Sequence, residues 1–173
     1  MYYRDAAFTI AIKSFPWMDE SVYADWDADG YRLPTEAEWE FAARYAGSGE
    51  FLPASWASGA SADALNREAT GRVGWFSANS GMHTQKVGLK EPNALGLYDM
   101  SGNVSELCWD YAAPLPPADR TDYRGGTNAE RYRVARGGTC RFDSRYLATE
   151  IRDARSDVET ERIYGLRLAR STP

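Results

Sequence analysis

The sequence predicts one α+β domain with much irregular backbone between short elements. Three observations carry this. Thr35 and Glu38 form a capping box that opens a helix over about residues 35–45. Short strand candidates lie at Val104 to Asp110 and Tyr132 to Ala135. Stretches rich in glycine, alanine, serine or proline, at residues 47–74 and 112–128, read as loop.

At 173 residues, 43% of them hydrophobic and six of them tryptophan, the chain suits a single domain over 1–173 with a real core. The net charge of −5 argues against a nucleic-acid partner, because binding phosphates needs a basic excess. Seven arginines nevertheless fall between Arg131 and Arg155. They could face an anionic ligand, but salt bridges to neighbouring Asp and Glu are the default reading. No apolar run reaches about 18 residues, so no membrane span is expected. No basic-then-apolar signal segment opens the chain, and the compartment stays open; surface association is expected only if the chain is a fragment of a longer product. Cys108 and Cys140 alone do not fix a redox compartment.

Taken in order, Phe8 to Ile12 reads as a short strand and Ser14 to Trp17 as a turn. Asp25, Asp27, Asp29, Gly30 and Glu36 match the ligand spacing of an EF-hand loop. No amphipathic helix precedes Asp25, and Pro34-Thr35 reads as a helix entry, so calcium is not expected there. In the helix that follows, Trp39, Ala42 and Ala43 are the expected core residues. Glu36, Glu38 and Glu40 are expected to cap the helix or face solvent. Gln85 to Gly88 reads as a short strand. Ser101-Gly102-Asn103 then forms a corner with a natural positive-φ position. Beyond it Val104, Glu106, Cys108 and Asp110 share one strand face, and Ser105, Leu107 and Trp109 the other. Gly137-Gly138 marks a bulge or a close backbone approach. Residues 141–164 are polar, aromatic and arginine-rich, with only short possible strands, and residues 165–169 supply a closing strand.

Three ordered motifs carry a family resemblance across roughly residues 23–171: GYRLPTEAEWEFAAR at 30–44, GLYDMSGNVSEL at 96–107, and RVARGGT at 133–139, closed by GLRLAR at 165–170. They resemble the formylglycine-generating-enzyme/sulfatase-modifying-factor domain family. The fold this implies is C-type-lectin-like, and the family's usual N-terminal portion is longer, so a shortened member or a fragment is expected. The resemblance places a structural Ca²⁺ on the Asp99 and Glu106 side chains and the Gly102 and Val104 carbonyls, hard oxygen donors around a tight turn. Two readings stay open there: calcium, or Asp99 capping the turn while Glu106 pairs with an arginine such as Arg136. Asn66 is a lone further calcium candidate. Glu91-Pro92-Asn93, followed by Trp109-Asp110, imitates a sugar-binding tripeptide of true C-type lectins. It falls where the family carries an ordinary turn, and is read as one.

The family's oxidase chemistry needs two copper-binding thiols, and the resemblance puts those positions at Phe142 and Leu147, so no copper is expected. His83 is the only histidine, which leaves no cluster for the related iron-dependent synthases. A Cys108–Cys140 disulfide is conceivable from the implied strand order, with two buried free thiols preferred. What remains resembles the variable proteins of diversity-generating retroelements, whose ligand contacts lie between the Gly-Gly turn and the closing strand. Here that interval holds Arg141, Phe142, Asp143, Arg145, Tyr146, Glu150, Arg155, Asp157 and Tyr164. Several glutamates in it fit asparagine-codon mutagenesis poorly. The resemblance therefore implies a non-catalytic module that binds a protein or glycan ligand through residues 141–164; the alternative is a divergent formylglycine-generating enzyme.

Overall fold

The computed structural model describes residues 2–4, 6–7, 9–11, 22–115, 121–125, 132–156 and 162–170. Its elements are β1 (Tyr2–Tyr3), β2 (Tyr23–Ala24), β3 (Tyr31–Arg32), α1 (Glu36–Arg44), β4 (Tyr45–Gly47), β5 (Glu50–Phe51), α2 (Arg67–Val73) and α3 (Ser77–Ser80). These are followed by β6 (Ser105–Tyr111), β7 (Tyr132–Arg136), a 3-10 turn (Ser144–Leu147), β8 (Arg152–Ser156), β9 (Tyr164–Leu166) and β10 (Ala169–Arg170). This is the α+β, C-type-lectin-like organisation that the motifs imply.

Helix α1 begins where its capping box requires. The Thr35 hydroxyl accepts the Glu38 N–H at 3.2 Å, and the Glu38 carboxylate accepts the Thr35 N–H at 2.8 Å. Its inner face buries Trp39 and Ala43 against Met100, Cys108 and Val134. A second core gathers Ala57, Ala60, Val73, Phe76 and Leu147 beneath the loops.

The main sheet has the order β8-β7-β6-β9. β6 and β7 run antiparallel with Glu106 opposite Arg136, and β6 and β9 run parallel with Glu106 opposite Gly165. Glu106, Cys108 and Asp110 share the buried face of β6, as the alternation predicts. Around it, β1 pairs with β2, β3 with β10, and β4 with β5. The Gly137-Gly138 turn is a close approach: an added Cβ would lie 2.9 Å from the Met100 carbonyl oxygen at Gly137, and 2.3 Å from that of Tyr146 at Gly138.

Four local expectations are corrected. Residues 47–74 are not loop throughout, since they contain β5 and α2, and Asn66 is the cap of α2, its side chain accepting the Ala69 N–H at 3.1 Å. Gln85 to Gly88 forms no strand; the Asn103 side-chain amide brackets Gln85 instead, accepting its N–H at 2.9 Å and donating to its carbonyl at 3.1 Å. The closing segment splits into β9 and β10, which pair with different strands. Among the described residues Thr9 to Ala11 forms no strand: Ala11 bridges Tyr3 and the Ile10 carbonyl accepts the Arg4 N–H at 2.9 Å, while Phe8, Ile12 and the 14–17 turn lie outside the described residues.

Glu36 and Glu40 also differ from the solvent-facing role expected of them. Arg136, whose side chain is 1% exposed, reaches Glu40 at 2.6 Å and Glu36 at 3.6 Å. Arg152 holds both oxygens of Glu36 at 2.8 and 2.9 Å. These charge-assisted bonds tie α1 to β7 and β8, and they leave Glu36 turned away from an EF-hand role.

Candidate functional site

The segment after the Gly-Gly turn is irregular yet firmly anchored. The Ser101 hydroxyl donates to the Leu147 carbonyl at 2.9 Å, and the Ser77 N–H to that of Phe142 at 2.9 Å. The Thr149 and Glu150 N–H groups donate to Trp56 and Ala54, each at 2.9 Å. Asp143 caps the 3-10 turn, and Leu147 plugs the second core. Side chains displayed here are held by fixed backbone, which lowers the ordering cost of binding.

Between this segment and β8 lies a cleft of about 350 Å³, lined by Ser105, Ala135, Gly138, Phe142, Tyr146, Ile151, Arg152, Asp153 and Arg155. Of the residues expected from sequence, the structure brings Phe142, Tyr146 and Arg155 together in it. The Phe142 and Tyr146 rings sit 5.5 Å apart. The Arg155 guanidinium lies 5.1 Å from the Tyr164 ring centroid and donates to Asp153 at 2.6 Å, while its Nε is buried without a hydrogen bond. Arg141, Arg145 and Glu150 are exposed outside the lining. Asp143 sits between Arg67 at 2.5 Å and Arg145 at 3.2 Å, and these partners, Arg67 first, hold its carboxyl below the usual carboxylate range. Asp157 lies outside the described residues. Sequence reasoning missed Asp153 as a lining residue; its two-residue spacing from Arg155 on one strand was the available signal.

At the proposed calcium position, Asp99 is buried in the left-handed region at φ 55°. Its Oδ2 accepts the Gly88 N–H at 2.7 Å, and its Oδ1 is buried without a partner. Glu106 pairs with an arginine, but Arg167 rather than Arg136: Arg167 donates at 2.8 and 3.0 Å, and the Trp39 indole N–H adds a bond at 2.8 Å. Arg167 also donates to the Tyr98 carbonyl at 2.9 Å. A carboxylate accepts about four hydrogen bonds, so Glu106 keeps residual capacity. The orphaned Asp99 oxygen suits a hard cation, whereas both Glu106 oxygens are already engaged by Arg167 and one of them by Trp39. Among the described residues, no three His, Cys, Asp or Glu groups converge as a metal cluster.

At the two positions matching the family's copper thiols, Phe142 is half-buried and Leu147 is fully buried. Cys108 and Cys140 are buried free thiols, and burial pushes both pKa values up, so they stay protonated at neutral pH. Asn93 is consumed structurally: its side chain donates to the Ala42 carbonyl at 2.7 Å and accepts the Leu95 and Leu97 N–H groups at 3.0 and 3.1 Å. Among the described residues, no helix is long and apolar enough to cross a membrane.

The fold and the ordered motifs define a sulfatase-modifying-factor-type domain. Residues 12–172 match the family described as Sulfatase-modifying factor enzyme 1-like domain, and the chain belongs to that family. It is similar to the solved structure of Treponema denticola variable protein 1, with a TM-score of 0.73 and 37% identity, covering 85% of this chain and 50% of that one. It is 37% identical over 134 residues to a formylglycine-generating enzyme of Streptomyces coelicolor, covering 71% of this chain and 40% of the relative. It is also 36% identical over 110 residues to an inactive C-alpha-formylglycine-generating enzyme 2 of Bos taurus, covering 62% and 34%. The chain spans 39%, 23% and 42% of three further curated relatives, under half of each.

Proposed function

We propose that this chain is a non-catalytic ligand-binding module that recognises a protein or glycan ligand through residues 141–164. The observation that carries the reading is the anchored cleft, in which Phe142, Tyr146 and Arg155 meet, while Leu147 serves as a core plug where the family's chemistry needs a thiol. Aromatic and arginine side chains on fixed backbone give large contact area at modest entropic cost. Similarity to a variable protein supports this reading, and so does a relative named as inactive.

The proposal includes a structural Ca²⁺ on Asp99, Gly102, Val104 and Glu106, which would fix the corner leading into β6. Bound there, the ion supplies positive charge to the buried Asp99 oxygen and no redox chemistry.

Alanine at Arg145, Tyr146 and Arg155 is expected to abolish ligand binding with the fold intact; retained binding overturns the site assignment. The alternative, a divergent formylglycine-generating enzyme acting on sulfatase cysteines, is favoured by the Streptomyces coelicolor similarity. A Cu(I) titration separates the two. Tight binding at one equivalent would support the enzyme, and its absence the binding module.

A further inference from the structure

We infer that a second cavity, beside the first turn of α1, binds a neutral hexopyranose ring through the Trp26 face and the Asp122 and Arg124 side chains. The cavity measures about 370 Å³, and its lining includes Trp26, Arg32, Thr35, Glu38, Asp122 and Arg124. It shares no lining residue with the cleft at residues 141–164, so the inference stands apart from the reading of that cleft.

The lining is held in place. Trp26 meets Trp109 edge-on with centroids 5.6 Å apart, and Trp109 stacks on Tyr2 at 5.3 Å. Arg32, its side chain 8% exposed, is fixed by two bonds to Glu38 at 2.6 and 2.7 Å. The segment carrying Asp122 and Arg124 is seated on β6 through Gly125. There, at φ +82°, an added Cβ would lie 2.6 Å from the Asp110 Cβ and 2.9 Å from the Tyr111 nitrogen.

The groups left unused select the ligand. Among the described residues, the Asp122 and Arg124 side chains make no hydrogen bond or ion pair. Arg124 only lies over the Trp26 ring, 4.3 Å from its centroid. The Thr35 hydroxyl accepts the Glu38 N–H at 3.2 Å and keeps its own proton to donate. The cavity therefore offers a carboxylate acceptor, guanidinium and hydroxyl donors, and an indole. Sugar hydroxyls both donate and accept, and the C–H face of a pyranose suits the electron-rich face of an indole. Charge argues against an ionic ligand, because Arg32 and Arg124 are balanced by Glu38 and Asp122, and an ion of either sign meets two like charges. An apolar ligand would bury Asp122 and Arg124 without partners. Arg124 is exposed and held by the ring contact alone, so it can leave the Trp26 face as the sugar enters and donate to its hydroxyls.

The test is an NMR titration of the ¹⁵N-labelled chain with the methyl glycosides of mannose, galactose and glucose, and with sodium glucuronate. The readout is the Trp26 indole N–H signal, assigned by its loss in Trp26→Phe. At least one glycoside is expected to shift it with a Kd of about 1–10 mM, and glucuronate to bind several-fold more weakly. Arg124→Gln and Asp122→Asn should each weaken glycoside binding several-fold without moving the melting temperature. Arg145→Ala/Tyr146→Ala/Arg155→Ala should leave it unchanged. Lactose and maltose then separate the sources: binding assigns the end of a glycan, and exclusion assigns a free sugar. No saturable shift from any glycoside up to about 50 mM, or tighter binding of glucuronate, overturns the proposal. Undiminished binding in both single variants, or lost binding in the triple variant, overturns the site.

Discussion

Asp110→Asn is the perturbation whose size follows most directly from the structure. Asp110 is 1% exposed on β6, and its Oδ2 accepts the Glu36 N–H at 2.7 Å, capping the first turn of α1. Burial pushes its pKa from the ordinary 3.8 to about 6, with the Glu36 carboxylate adding to the rise and that same N–H bond and Arg152 opposing it. A folded-state pKa raised above the unfolded one means the native state binds the extra proton. Stability therefore falls as pH rises from about 4 to about 6, by at most about 3 kcal/mol for a rise of this size. Asparagine keeps an oxygen for the Glu36 N–H and cannot ionise. The variant should gain on the wild type across that window and hold a constant advantage above it. Urea unfolding at closely spaced pH values reads this directly. A variant-to-wild-type difference that is flat with pH, or that shrinks as pH rises, would refute the assignment.

Three other outcomes are expected. Gly102→Ala places a Cβ 2.2 Å from the Trp75 carbonyl oxygen at φ +83°, and should cost at least about 2 kcal/mol in urea unfolding. Leu147→Ala opens a cavity in the second core and should cost about 2–5 kcal/mol in the same assay. Calcium should raise the melting temperature of the wild type but not of Asp99→Asn, whereas an equal rise in both would remove Asp99 from the site.

The parts of the fold legible in the sequence were those with local causes. The Thr35–Glu38 box fixed the start of α1 because both partners of each bond lie within one turn. The β6 faces were legible because burial alternates with the strand period. Helix α2 was not, because Asn66 caps a seven-residue stretch broken by Gly71, too short for an apolar period to emerge. Glu36 looked like a surface residue because the arginine that buries it, Arg152, lies 116 residues away. Gln85 reads as strand by composition, yet its partner is a side chain, which periodicity cannot reveal. In the cleft, Phe142, Tyr146 and Arg155 were found through motif order. Asp153 was missed because its two-residue spacing from Arg155 becomes informative only once β8 is known to be a strand paired with β7, which local sequence does not show.

The measurement that tests the central claim most directly is selection of displayed peptides on the folded domain, with each enriched peptide re-measured on the Arg145→Ala/Tyr146→Ala/Arg155→Ala variant. A recognition surface at residues 141–164 predicts that the enriched peptides lose binding to the variant while its melting temperature stays close to that of the wild type. Enriched peptides that bind both proteins equally would place recognition elsewhere and contradict the account.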